Sequence, residues 1–270
     1  MNILLNEQPY TIHRGATLGD LRRQAKPDAD ILILNGALAD ATCPLHDGDH
    51  VVLITRGQQP SPEELDALLT ARHTPGVHAV MKRSCVGIAG LGGLGSTAAV
   101  ALARMGVGRL ILVDFDVVEP SNLNRQQYFV CQIGQPKALA LAETLARINP
   151  CVHCESHVAT ITPENLPALF STVNVLIEAF DRADQKAMLA TYWQRLFPAV
   201  PLVMASGVAG IGPATTVSVH QCGRNLYVVG DMESAAQPGR GLMAPRVGIA
   251  AHIQATMAVR LLLGDTSLPW

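Results

Sequence analysis

No cluster of basic residues occurs in this sequence: Lys and Arg total 20 against 22 Asp and Glu, for a formal net charge of -2. A nucleic-acid surface needs clustered positive charge, so no nucleic-acid partner is expected. The opening residues, Met1-Asn2-Ile3-Leu4-Leu5-Asn6-Glu7, lack both the basic segment and the apolar run of an export signal. Without export, the six cysteines are expected to stay reduced. Cys151 and Cys154 have the spacing of half a zinc site, but no second such pair exists. Their surroundings alternate like a strand, which turns residues three apart to opposite faces. No structural zinc is expected. The one long uncharged stretch, Cys85 to Ala103, nears the length of a membrane span. Gly87, Gly90, Gly92, Gly93 and Gly95 crowd its first half and would weaken a continuous helix. A strand, a glycine turn and a helix explain it better, so the chain reads as cytoplasmic with no membrane partner. Hydrophobic residues at 49% and charged residues at 16% suit an α/β protein with a large core.

Residues 1–57 read as a small α+β unit. Ile3–Leu5 and Tyr10–His13 are short apolar runs about a turn, and Thr17 caps a helix with Asp20 three residues on. Ile31–Leu34 ends at Asn35-Gly36, a hairpin signal, and Asp47-Gly48-Asp49 turns into a last strand, Val51–Thr55. The order ββαββ is that of a β-grasp, ubiquitin-like domain. Residues 58–83 read as a linker and helical lead-in, with Ser61 capping a helix from Pro62. Residues 84–270 alternate strands and helices, the pattern of a doubly wound, Rossmann-like, mostly parallel sheet. Expected strands are Cys85–Ala89, Arg109–Phe115, Val152–Val158, Val173–Ile177, Leu202–Ala205 and Ala214–His220. Expected helices are Ser96–Met105, Gln135–Ile148, Asp184–Leu196 and Val247–Leu263.

Gly90, Gly92, Gly93 and Gly95 follow the first of these strands and lead into a helix. Backbone N–H groups there can approach phosphates closely, and the helix start favours negative charge. Asp114 closes the next strand about 20 residues on, where a carboxylate can take ribose hydroxyls. These features suit a dinucleotide-dependent dehydrogenase equally well. The next segment does not: Glu119-Pro-Ser-Asn122-Leu-Asn-Arg125-Gln126-Gln-Tyr128, with Lys137 opening the following helix, adds cations beside the expected phosphates. Breaking the α–β bond of ATP needs such charge, because negative charge grows on the α-phosphate and on departing pyrophosphate.

Gly90-x-Gly-Gly-x-Gly95, Asp114-Phe-Asp116, Ser121-Asn122-Leu-Asn-Arg125-Gln126 and Gly134-Gln-Pro-Lys137 together resemble the ordered signature of the ubiquitin-activating-enzyme-like family, whose bacterial members include ThiF, MoeB and HesA. Arg147-Ile-Asn-Pro150 and Met243-Ala-Pro-Arg-Val-Gly248 resemble further family segments. The resemblance implies an adenylyltransferase that activates the C-terminal carboxylate of a sulfur-carrier protein, closest to ThiF of thiamine biosynthesis. It implies ATP as substrate, Mg²⁺, a separate sulfur-donor protein and a homodimer. By the same resemblance Asp114 holds the ribose, with Asp116 beside it, and Asn122, Arg125, Gln126 and Lys137 surround the triphosphate. Asp181 organises the Mg²⁺, with Asp184 as its alternate; an arginine ahead of the glycine loop, Arg72 or else Arg83, reaches the nucleotide. The first 57 residues resemble the carrier ThiS, but Arg56-Gly57-Gln58-Gln59 replaces its free Gly-Gly end, so this domain offers no carboxylate. The two C-x-x-C pairs of many members are missing, and Cys222 is no clear counterpart of the cysteine some members use covalently. Rival expectations are an adenylyltransferase relative acting on another carrier, an RNA or a peptide, and a nucleotide-binding scaffold without catalysis.

Overall fold

A computed structural model describes residues 1–73 and 75–267; Thr74 in the 58–83 segment and the last three residues of the 84–270 segment lie outside it. Two strands, β1 (Asn2–Leu5) and β2 (Gln8–Thr11), pair antiparallel about Asn6 and Glu7. Helix α1 (Leu18–Ala25) begins in a reciprocal cap: Thr17 Oγ1 accepts the Asp20 N–H, and the Asp20 carboxylate accepts the Thr17 N–H at 2.8 Å. Each bond satisfies a donor that a bare helix start leaves open. Strand β3 (Ile31–Leu34) turns at Asn35-Gly36, with φ of 51° and 86°, into the two-residue β4 (Ala37–Leu38). Paired positive φ values match the twist of a tight hairpin. Strand β5 (His50–Ile54) runs parallel to β1 and antiparallel to β3, so the sheet order is β2-β1-β5-β3-β4. Five strands replace the four read from sequence, because β4 is too short to leave a periodic signal. Ile3, Leu32, Val51 and Leu53 close a core on Leu18 and Leu21 of α1.

The 58–83 segment folds as two helices, α2 (Pro62–His73) and α3 (Pro75–Arg83). The chain divides into two compact units between Ala79 and Val80.

In the second unit, β6 (Cys85–Ala89) leads through α4 (Gly93–Arg104) to β7 (Arg109–Val113), then through α5 (Lys137–Ile148) to β8 (His153–His157). The short α6 (Leu166–Phe170) returns the chain to β9 (Val175–Glu178), and α7 (Ala183–Leu196) carries it to β10 (Leu202–Ala205). A hairpin of β11 (Ser218–Gly223) and β12 (Leu226–Gly230) precedes the closing α8 (Ala244–Leu262). The seven strands lie in the order β11-β12-β10-β9-β6-β7-β8, all parallel except β11. Every residue of β6 is buried, as a central strand covered on both faces requires. Phe170, Leu189 and Trp193 pack on one face with Leu176 and Leu202, while α4 and α8 meet where Val247 abuts Gly93.

The expected strand Ala214–His220 is corrected: residues Ala214–Thr216 form a 3₁₀ turn, closed by the Thr216 N–H on the Pro213 carbonyl, and the strand starts only at Ser218. Pro213 fixes the φ that begins this turn. Helix α8 starts at Ala244 rather than Val247, since Pro245 is tolerated in a first turn, where its missing N–H has no partner to lose. Among the described residues no helix is long and apolar enough to cross a membrane.

Candidate active site

The strand order reverses between β6 and β9, and the crevice outside the carboxyl ends of such strands is where open α/β sheets bind ligands. The glycine loop leaves β6 there. Gly90 has φ +89°, and its N–H bonds the Val113 carbonyl at 2.9 Å. A side chain at Gly90 would strike Ala179 and Phe180 beyond β9, so this glycine lets the loops of β6 and β9 touch. Gly92 stands at the N-cap of α4 with nothing nearer to an added Cβ than Gln126 Nε2 at 3.7 Å. The free N–H groups of the first turn of α4 start there, which makes an anion cradle.

Asp114 follows β7 directly and holds this loop: its carboxylate accepts the Leu91 N–H at 2.6 Å and the Asp116 N–H at 2.8 Å. Burial raises its pKa above the ordinary carboxylate value, against those hydrogen bonds and Lys137. Each oxygen keeps a second lone pair for a ligand hydroxyl. Asp116 accepts the Lys137 Nζ at 2.8 Å, and its carbonyl takes the Lys137 N–H. Lys137 is 5% exposed and thus already paired, with two ammonium donors left for phosphate.

Asn122 lies buried at the end of a 3₁₀ turn, its Oδ1 on the Glu119 N–H. Its carbonyl takes the N–H groups of both Arg125 and Gln126. The stem of Arg125 lies over Gly93, and its guanidinium binds Asn124 Oδ1 at 2.8 Å. Gln126 is buried beside Gly92, and its Oε1 has no hydrogen-bond partner. The structure thus brings Arg125, Gln126, Asp114, Asp116 and Lys137 around one glycine loop. Tyr128, whose hydroxyl bonds the Leu91 carbonyl at 2.8 Å, is a loop anchor that sequence reading missed; burial pushes its pKa up. An aromatic hydroxyl closing a polar segment was the available signal.

Asp181 is exposed in the turn after β9, one residue past the Phe180 that borders Gly90. Asp184 is engaged by Arg182 at 2.6 Å, which leaves Asp181 the freer carboxylate. Among the described residues no group of three or more His, Cys, Asp or Glu side chains could hold a metal ion. A lone carboxylate is nevertheless how Mg²⁺ is commonly held when phosphates and waters supply its other ligands. Arg72 and Arg83 are exposed, the first at the end of α2 in the first unit and the second at the end of α3. Cys222 is exposed on β11.

A cleft of about 750 Å³ opens between the loop after β10 and the segment leading into α8, lined by Gly210, Ile211, Pro213, Asp231, Arg240 and Arg246 among others. It adjoins the polar segment, because the Asn124 side chain donates to the Leu242 carbonyl at 3.3 Å. Arg246, 4% exposed, donates to the Gly212 and Pro213 carbonyls, Thr216 Oγ1 and Asp231 Oδ2. Burial works against the Asp231 charge, but hydrogen bonds from Ser234, Glu233 and Arg246 outweigh it and hold the carboxyl well below the usual range. Sequence reading assigned this pair no role: Arg246 lies in the family-like segment Met243–Gly248, and nothing marks Asp231 as its partner.

Comparison with known proteins agrees with this architecture. The ThiF family profile matches residues 70–269, and the ThiS-like ubiquitin profile matches residues 1–57. The molybdopterin-synthase adenylyltransferase of Escherichia coli is 33% identical over 189 residues, covering 68% of this chain and 75% of that one. The adenylyltransferase and sulfurtransferase of Yarrowia lipolytica is 29% identical over 181 residues, covering 66% of this chain but only 45% of its own. Among solved structures, the E. coli tRNA N6-threonylcarbamoyladenosine dehydratase in complex with ATP superposes with a TM-score of 0.66 at 24% identity, over 73% of this chain and 93% of that one. That last likeness is one of fold. With the family profile matching residues 70–269, most of its length, the chain belongs to the ThiF family.

Proposed function

We propose that the protein adenylylates the C-terminal carboxylate of a small sulfur-carrier protein ending in Gly-Gly. The single observation that carries this reading is the glycine loop with Arg125 and Gln126 against Gly93 and Gly92, Asp114 on the Leu91 N–H, and Lys137 on Asp116. An extended, side-chain-poor carrier tail would lie in the cleft lined by Gly210, Ile211 and Pro213, whose neighbour Leu242 is bonded by the Asn124 side chain of the polar segment. The carboxylate oxygen attacks the α-phosphorus of ATP, the bond to the β-phosphate oxygen breaks, and pyrophosphate leaves with the electron pair. No proton moves, because the nucleophile is ionised at neutral pH, so positioning and charge neutralisation carry the rate. Asp114 binds the ribose with Asp116 beside it, the start of α4 and Gln126 receive the phosphates, and Asn122 sets the turn that presents Arg125. Arg125 and Lys137 face the charge that grows on the α-phosphate and pyrophosphate. Mg²⁺, held by Asp181, would supply further positive charge to the phosphates. A sulfur-donor protein then converts the acyl-adenylate to a thiocarboxylate.

The ThiS-like match of residues 1–57 favours thiamine thiazole synthesis as the pathway, with a separate ThiS-like carrier as the substrate. The homodimer has a candidate surface in Phe115, Val117, Phe129, Val130, Ile133 and Leu139, all large apolar side chains left exposed. Apolar exposure concentrated in this way marks an interaction surface. Sedimentation of the full chain as a single protomer at micromolar concentration removes the dimer from the proposal.

The test is Mg²⁺-dependent ATP–pyrophosphate exchange with and without a carrier ending in Gly-Gly. Arg125→Ala and Asp181→Ala are expected to lower carrier-dependent exchange at least about 100-fold while leaving the fold intact. Exchange at the wild-type rate in both variants sinks the assignment.

A further inference from the structure

The carboxyl ends of β9 and β10 part company beside the site. Their pairing covers Leu176 with Leu202 and Ile177 with Val203, and stops there. From β9 the chain runs through Glu178 into the turn that carries Asp181; from β10 it runs through Ala205 into the loop that lines the cleft. Lys186, on the first turns of α7, spans the gap. Its Nζ donates to Glu178 Oε1 at 2.8 Å, to Glu178 Oε2 at 3.1 Å and to the Ala205 carbonyl at 2.9 Å.

An ammonium has three donors, and all three are in use, so Lys186 has none left for a phosphate. Its partner is no surface carboxylate: Glu178 is fully buried, and Oε1 also accepts the Phe180 N–H at 2.6 Å. The Glu178 carbonyl takes Gln254 Nε2, which also reaches the Val203 carbonyl, so α8 grips both strands from behind. A buried ion pair adds little net stability over an apolar pair of the same shape. What it fixes here is the relative position of two loops that no strand pairing joins.

We propose that Lys186 and Glu178 are positioning residues that hold the Asp181 turn and the cleft loop in one register, so that the carrier's carboxylate meets the α-phosphorus in line. The inference rests on the adenylylation reading above for its catalytic consequence, and on the geometry alone for the coupling of the loops. Displacement of reacting groups by about 1 Å is enough to slow a reaction about 100-fold. Loss of Lys186 therefore acts on turnover, while the glycine loop that binds ATP is left as it was.

Two measurements on the full chain test this. In pyrophosphate exchange, Lys186→Met is expected to lower kcat about 100-fold with the KM for ATP within about threefold, and Lys186→Arg to recover most of the loss. Because an unpaired buried glutamate destabilises the fold, the paired Glu178→Gln/Lys186→Met variant is run beside it: it is expected to regain thermal stability without regaining kcat. Recovery of kcat together with stability makes the pair merely structural and overturns the proposal. In amide hydrogen exchange, Lys186→Met is expected to deprotect Phe180 and the segment Ser206–Gly210 together. Deprotection of one without the other overturns the coupling. A wild-type protein that shows no exchange with any carrier overturns the functional reading alone, and the amide measurement still decides whether the loops are coupled.

Discussion

At Gly95 an added methyl would lie 1.9 Å from the Gly90 carbonyl oxygen, in the turn between strand and helix. Backbone cannot yield by that much without pulling α4 off the sheet. Gly92 sits three residues earlier, at the N-cap of α4, with φ of -72° and its nearest neighbour the flexible end of Gln126 at 3.7 Å. Alanine there meets only the space assigned to phosphate. The two substitutions should therefore separate folding from binding. Gly95→Ala is expected to destabilise the protein by about 3 kcal/mol or more in thermal or urea unfolding. Gly92→Ala is expected to unfold within about 0.5 kcal/mol of wild type, yet to bind ATP at least about tenfold more weakly by calorimetry. Equal ATP affinity in Gly92→Ala and wild type would place the phosphates elsewhere.

Between elements, the tie from Arg246 at the start of α8 to Asp231 just past β12 holds the cleft loop, since the same guanidinium binds the Gly212 and Pro213 carbonyls. The folded Asp231 carboxyl titrates below its unfolded counterpart, so the folded state keeps the charge where the unfolded chain takes up a proton. That stability is whole above the ordinary carboxylate pKa of about 3.9 and is lost as pH falls through the folded value. Wild type is expected to exceed Asp231→Asn by about 2 kcal/mol at neutral pH, the size of hydrogen bonds to a charged group. The gap should narrow in urea unfolding as pH drops below about 4. A gap independent of pH would show that the charge contributes nothing. Such ties also explain which elements were legible in the sequence. Helices α1 and α7 and strands β6 and β10 announce themselves through a cap, a period or a continuous apolar run. The glycine loop and the Asn122–Gln126 segment are local in sequence, and the structure places their side chains together. Asp231 with Arg246, and Glu178 with Lys186, join elements through single side chains and leave no pattern to read. Strand β12 escaped because Ala214–His220 looked like the strand of that region, until Pro213 turned the chain.

For the whole molecule, the two compact units each carry a hydrophobic core of their own. One is built from Ile3 to Leu53, the other spans Cys85 to Val228, and among the described residues these two clusters share none. Removing residues 1–57 deletes the first of these cores and leaves the second, with the candidate nucleotide contacts of the second unit; Arg72 stays on the remainder of the first unit, which loses the Lys26–Glu64 ion pair. A protein gains stability from a ligand by RT ln(1 + [L]/Kd), about 2.7 kcal/mol at a ligand concentration 100 times Kd. ATP is expected to stabilise the 58–270 fragment as much as it stabilises the full chain when each is unfolded at the same multiple of its Kd. Carrier-dependent exchange is the quantity the deletion should change, because a ThiS-like domain without a carboxylate end can recognise what a carrier recognises but cannot be consumed. Loss of the ATP response in the fragment would instead make ATP binding depend on the first 57 residues, and an Arg72→Ala variant of the full chain that still responds to ATP would then exclude Arg72 as the reason.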